Sequence, residues 1–216
     1  MTLGLCVASA HAGEVRILAL GDSYTIGEGV AAEDRWPDQL AATLRKSGHA
    51  VAAPEIIART GWTTDELSAA MDRHAFRAPY DLVTLLIGVN NQYRGRELDN
   101  YRTEFRALLQ RAIALAGQRA DRVIVVSIPD WGVTRFGRAS GRDVAQIARA
   151  IDAYNAAAAA IAVQSHVAFA DVTDASRNGG DDTDMLVGDG LHPSAAMYRR
   201  WLDAILPLAR AALATP

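Results

Sequence analysis

The sequence predicts an α/β protein in three layers, a parallel β-sheet with helices on both faces. Three observations predict it. Short apolar runs alternate five times with longer amphipathic ones, the rhythm of strand, crossover helix, strand. The apolar runs are continuous and rich in Val, Ile and Leu, as strands buried on both faces are. The chain has 216 residues, 50% hydrophobic and 22% charged, which suits one globular core and excludes a disordered chain.

In order along the chain, "EVRILAL" (14–20) reads as a buried strand. "DRWPDQLAATLRKSG" (34–48) reads as a helix closed by Gly48. A second strand falls in "AVAAPEIIA" (50–58), where Pro54 counts against a regular interior. "TTDELSAAMDRHAF" (63–76) has a Thr/Asp helix start. "YDLVTLLIG" (80–88) is a strong strand, followed by a long amphipathic helix over 97–117 that ends at Gly117. "DRVIVVSIP" (121–129), 143–165, "HVAFADV" (166–172) and 194–213 complete the alternation as strand, helix, strand, helix. No internal repeat or low-complexity linker divides the chain, so residues 13–216 are expected to form a single domain.

Residues 1–12 stand apart. Ala10-His11-Ala12 before Gly13 resembles a signal-peptidase site, yet the segment lacks a charged start and its apolar core is short. It reads equally as the remnant of an export signal or as a tail, so periplasmic or secreted and cytoplasmic locations fit alike. Cys6 is the only cysteine, which excludes an intrachain disulfide and a thiolate metal cluster. The net charge of −3 gives no basic face for nucleic acid. No run reaches the roughly 18 apolar residues of a membrane span.

In an open parallel sheet, sites form at the carboxyl ends of the strands. Here each strand runs into a distinctive loop: Gly21-Asp22-Ser23, then "RTGWTTDE" with Gly61, "GVNNQYRG" with Gly88 and Asn90, "PDWGVTRFG", and at a longer remove "GDGLHPS" with Asp189 and His192. A hydroxyl, an amide, an imidazole and a carboxylate therefore converge on one edge. Acyl transfer needs those parts. Serine needs a base to take its proton as it attacks, and a neutral imidazole suits that role. A carboxylate on the other ring nitrogen fixes the tautomer; Asp189 and His192, three apart in one loop, are placed to meet. Backbone N–H groups at Ser23 and Gly61 and the Asn90 amide would supply three donors for the negative charge of the tetrahedral intermediate.

The blocks Gly-Asp-Ser23, Gly61, Gly88-x-Asn90 and Asp189-x-x-His192 resemble, in order, those of the SGNH (GDSL) hydrolase family, over residues 17 to 198. The resemblance implies a flavodoxin-like sandwich with strand order 2-1-3-4-5. It implies Ser23 as nucleophile, His192 as base, Asp189 as its partner, and Ser23, Gly61 and Asn90 as oxyanion donors, with no cofactor and no metal. The substrate class it implies is a small-molecule or lipid-like acyl ester. One departure is visible: many members have aspartate after the asparagine, where this chain has Asn91.

Other readings share these residues. The same chemistry serves an acyltransferase or a carbohydrate deacetylase, and the sheet edge alone could serve a non-catalytic small-ligand module. That module would need a phosphate loop, but "GDSYTIGEG" has neither the P-loop lysine nor the dinucleotide glycine spacing. Tyr93 and Trp131 are candidate pocket residues, although Trp131, like Phe136, reads more readily as packing than as a substrate contact. His11, His49, His74 and His166 fall in the tail, before strands or late in a helix, away from the loop edge. The acidic run 171–184 lacks the spacing of a calcium loop and reads as solvated.

Overall fold

A computed structural model describes residues 13–180 and 182–214. The tail 1–12, with Cys6 and the Ala-His-Ala motif, lies outside them.

The chain begins with strand β1 (Ile17–Asp22), buried throughout. One helical turn, α1 (Ser23–Ile26), follows directly. Helix α2 (Trp36–Lys46) starts with Pro37 in its first turn, where the missing N–H is no loss. Strand β2 spans Glu55–Arg59, shorter than the sequence suggests. Pro54 ends regular pairing on its N-terminal side, leaving only an isolated bridge between Val15 and Val51. Helix α3 (Thr64–Asp72) opens on a capping box between Thr63 and Glu66. After β3 (Leu82–Leu86) come a short helix α4 (Val89–Tyr93) and the long α5 (Leu98–Leu115). Then follow β4 (Val123–Val126), α6 (Arg135–Ala139), α7 (Val144–Gln164), β5 (Ala168–Ala170), α8 (Thr173–Arg177) and α9 (Ala195–Ala214).

The five strands pair in parallel in the order 2-1-3-4-5. α2 packs on α9, and α3, α5 and α7 pack in succession, giving helices on both faces. β1 lies between β2 and β3, so the connection from β1 to β2 and that from β2 to β3 run in opposite directions. This reversal opens a crevice at the carboxyl end of β1. Register sets what reaches it: Gly21 pairs with Ala58 on one side and Leu86 on the other. Ser23, Thr60–Gly61 and Gly88–Asn90 therefore leave the sheet at one level. Trp36, Trp131 and Trp201 are all nearly inaccessible and belong to the core. Among the described residues, no helix is long and apolar enough to cross a membrane.

Candidate active site

Ser23 is positioned by what surrounds it. A Cβ on Gly21 would lie 2.5 Å from the Leu86 carbonyl oxygen and would collide with Thr25, so only glycine lets β1 turn so close to β3. Asp22 caps α1, its Oδ1 accepting the Tyr24 N–H at 3.0 Å. The turn closes at Gly27, with φ +71°, and the Trp36 indole N–H donates to the Tyr24 carbonyl at 3.1 Å. Ser23 begins α1 and is 5% exposed.

Asp22 itself is fully buried, and its Oδ2 has no partner. Burial pushes its carboxyl up from 3.8 to about 7, against the lowering pull of the Tyr24 N–H and its own N–H. The unfolded chain releases this proton near 3.8 and the folded chain near 7. Between those values the folded state binds more protons, so stability falls as pH rises through the window. A displacement of this size is worth on the order of 4 kcal/mol. Asp22→Asn should therefore gain on the wild type between pH 4 and pH 8, by at least about 1 kcal/mol in urea unfolding. Wild-type and variant stabilities that run parallel over that range would refute the burial argument.

The second and third blocks meet the first across the crevice. Gly61 has φ +85°, and its carbonyl accepts from Arg94 Nη2 at 2.6 Å. Thr60 donates its hydroxyl hydrogen to Glu28. Gly88 has φ +132°, and a Cβ there would lie 2.6 Å from the Tyr101 ring. The backbone can thus swing from β3 into α4. Asn90 Nδ2 donates to the Trp62 carbonyl at 2.9 Å, which engages one amide hydrogen and leaves the other. Asn91 is completely buried and turns towards α3. Its Oδ1 accepts the Thr64 N–H at 3.1 Å, and its Nδ2 donates to Thr64 Oγ1 at 2.6 Å. The Thr64 hydroxyl in turn donates to Glu104.

His192 and Asp189 sit in a tight loop closed by a bridge between Leu186 and Pro193. His192 Nδ1 and Asp189 Oδ2 are 2.6 Å apart. Asp189 Oδ1 accepts the N–H groups of Leu191 at 2.8 Å and His192 at 3.0 Å. Burial pushes the Asp189 carboxyl up, but the hydrogen bonds from the His192 ring, the His192 N–H and the Leu191 N–H outweigh it and hold it below the usual range. The imidazole side chain is 9% exposed and the carboxylate 41%. The Tyr24 ring packs against the imidazole, with centroids 5.4 Å apart.

A cleft of about 210 Å³ joins these groups, with Ser23, Gly61, Asn90 and His192 all in its lining. Among the described residues no hydrogen bond joins Ser23 Oγ to His192; catalytic hydrogen bonds often tighten only around substrate. Tyr93 and Trp131 border the same cleft, as does Phe136, which is 37% exposed rather than packed away. Sequence reasoning missed Tyr24 and Thr60 in the lining and Arg94 on the Gly61 carbonyl, none of which has a spacing signal. Among the described residues no group of three His, Cys, Asp or Glu side chains converges as metal ligands would. In the acidic run, Asp171 bonds Ser127 and the Thr173 N–H, and Asp182 accepts the Asp184 N–H. His74 is not in the cleft lining and contacts Glu55 at 2.6 Å.

Ester-bond hydrolases are the class that this sheet belongs to. Within it, the chain is a member of the GDSL-like lipase/acylhydrolase family, whose model matches residues 19–200. Solved structures share the fold. TesA is 22% identical with a TM-score of 0.72, over 92% of this chain and 99% of that one. The psychrotrophic esterase EstA from Pseudoalteromonas sp., inhibited by monoethylphosphonate, is 16% identical with a TM-score of 0.70, over 94% and 100%. A catalytic mutant of Axe2, an acetylxylan esterase from Geobacillus stearothermophilus, is 20% identical with a TM-score of 0.70, over 91% and 94%. No curated protein sequence matches the chain.

Proposed function

We propose that the chain hydrolyses small acyl esters by way of an acyl-enzyme on Ser23. The observation that carries this reading is the 2.6 Å contact of His192 Nδ1 with Asp189, in a loop whose imidazole shares one cleft with Ser23, Gly61 and Asn90. With the proton on Nδ1 and donated to Asp189, Nε2 keeps its lone pair for the Ser23 hydroxyl proton. Ser23 Oγ adds to the ester carbonyl carbon, and the carbonyl oxygen takes the negative charge. The N–H groups of Ser23 and Gly61 and the remaining amide hydrogen of Asn90 stabilise that oxygen. The imidazolium then gives its proton to the departing alcohol. Water repeats the sequence on the acyl-enzyme, releasing the acid and restoring Ser23.

A fluorophosphonate tests the nucleophile directly. Ser23 Oγ should displace fluoride, and peptide mass mapping should find the adduct on Ser23. An adduct on another residue, or none under conditions of ester turnover, would reject the assignment.

The two asparagines separate the oxyanion site from its support. Asn90→Ala removes a donor and should lower kcat by about 10²–10³. Asn91→Asp keeps the acceptor for the Thr64 N–H but obliges the Thr64 hydroxyl to turn from Glu104. It should keep kcat within about tenfold and lower stability by about 1 kcal/mol. Steady-state kinetics beside thermal melting read both; the reverse pattern would put the donor on Asn91.

A further inference from the structure

Among the described residues, the exposed large hydrophobic side chains are Tyr93, Phe136 and Val163. Two of the three stand at the cleft beside Ser23. Exposed aromatic side chains gathered at a concave site signal contact with a ligand. Tyr93 follows Asn90 by three residues on α4, so the two project from the same face. Its ring lies 5.2 Å from that of Trp131 and 6.5 Å from that of Phe136, and Trp131 lies 6.2 Å from Phe136. Trp131 is 2% exposed and pinned, its indole N–H donating to Gln92 Oε1 at 2.8 Å. The Phe136 N–H donates to the Gly190 carbonyl at 3.0 Å, fixing α6 to the loop of His192 and Asp189. Apart from His192, no ionisable side chain other than the two tyrosines lines the cleft. Among the described residues no carboxylate, lysine or arginine is part of that lining, which favours an uncharged acyl group.

Arg142 is outside the lining. It borders the neighbouring groove with Gln92. Its guanidinium stands 4.3 Å from the Tyr93 ring centroid and 5.6 Å from that of Trp131, and Nη1 donates to the Tyr93 carbonyl at 3.0 Å. Arg142 directly precedes Asp143, which caps the 21-residue α7. The cation thus reaches Tyr93 from a rigid base and holds the ring by cation–π attraction and a backbone hydrogen bond.

We infer that Tyr93, Trp131 and Phe136 form the wall that selects the acyl group, that the wall takes an uncharged acyl chain of about four to eight carbons, and that Arg142 is the positioning residue that holds Tyr93 in it. An apolar cavity of about 150 Å³ accepts benzene; the 210 Å³ here must also hold the reacting ester. Acetyl leaves the wall uncovered, and the part of a long lipid chain beyond the cleft gains no contact with it. The inference rests on Ser23 as the nucleophile.

The experiment is an ethyl ester series from acetate to palmitate, followed by proton release so that no aromatic leaving group competes for the wall. Wild-type kcat/KM should peak between butyrate and octanoate. The hexanoate-to-acetate ratio of kcat/KM should fall at least about tenfold in Tyr93→Ala and in Phe136→Ala, the scale of lost contacts in a hydrophobic pocket. Arg142→Gln should raise KM for hexanoate about three- to tenfold while kcat stays within about twofold. Arg142→Lys should recover most of that KM, which a merely structural role would not require. A wild-type optimum at acetate or palmitate overturns the inference, as does an unchanged ratio in both alanine variants with wild-type melting curves. An Arg142→Gln variant that alters kcat and not KM removes Arg142 from it. Ser23→Ala in the same assay separates the two levels. If it stays active, the underlying reading fails; if it is inactive while the ratios do not move, only the wall fails.

Discussion

Ser23→Ala is expected to lower kcat on a good ester by about 10⁶, to a residue of about 10³–10⁴ over water from the oxyanion donors and binding. On the proposed mechanism the loss is that large because the chemical path disappears: without Oγ no acyl-enzyme forms, and water must attack an ester held in a cleft shaped for another nucleophile. The substitution should leave the fold alone. Ser23 Oγ makes no hydrogen bond among the described residues, and the turn is held by Asp22, Gly27 and Trp36 instead. KM should change little, since alanine takes no apolar contact away. The check is single-turnover and steady-state kinetics on protein with a wild-type melting curve, with fluorophosphonate labelling lost in parallel. Activity above about 1% of wild type would place the nucleophile elsewhere.

The parts of this site differ in how openly the sequence shows them. β1 and β3 are legible because both faces of each are buried, leaving unbroken apolar runs that end at Gly21 and Gly88. The start of β2 is less so. Pro54 warns of irregularity, but only the structure shows that pairing resumes at Glu55. α4 is hidden from periodicity: five residues are too few for a helical repeat, and Asn90 and Asn91 are poor helix formers. Tertiary bonds to Trp62 and Thr64 hold it instead. The pairing of Asp189 with His192 is legible because the two stand three positions apart in one loop. The Tyr24 ring on His192, Arg94 on the Gly61 carbonyl and Arg142 over Tyr93 join segments distant in sequence, and no local pattern announces such contacts.

His192→Ala should be about as damaging as Ser23→Ala, near 10⁶ in kcat, and the double variant no worse, because hydroxyl and base act as one unit. Asp189 should be graded differently, and its exposure decides how. In Asp189→Asn the amide oxygen can still accept the N–H groups of Leu191 and His192, so the loop keeps its shape. The amide nitrogen, however, would face His192 Nδ1 in place of Oδ2. Two donors cannot share that 2.6 Å contact, so the ring proton moves to Nε2, the atom proposed to accept from Ser23. The expected loss is about 10⁴ in kcat, the scale of a wrong tautomer. Asp189→Ala removes the carboxylate but installs no donor. Because the carboxylate is 41% exposed, water can take its place and accept from Nδ1, so the loss should be about tenfold smaller than for asparagine. The ranking His192→Ala, then Asp189→Asn, then Asp189→Ala is read from kcat on one ester, with melting curves to exclude unfolding. Asparagine at position 189 retaining more activity than alanine would mean that the carboxylate acts through its charge and not by fixing the tautomer.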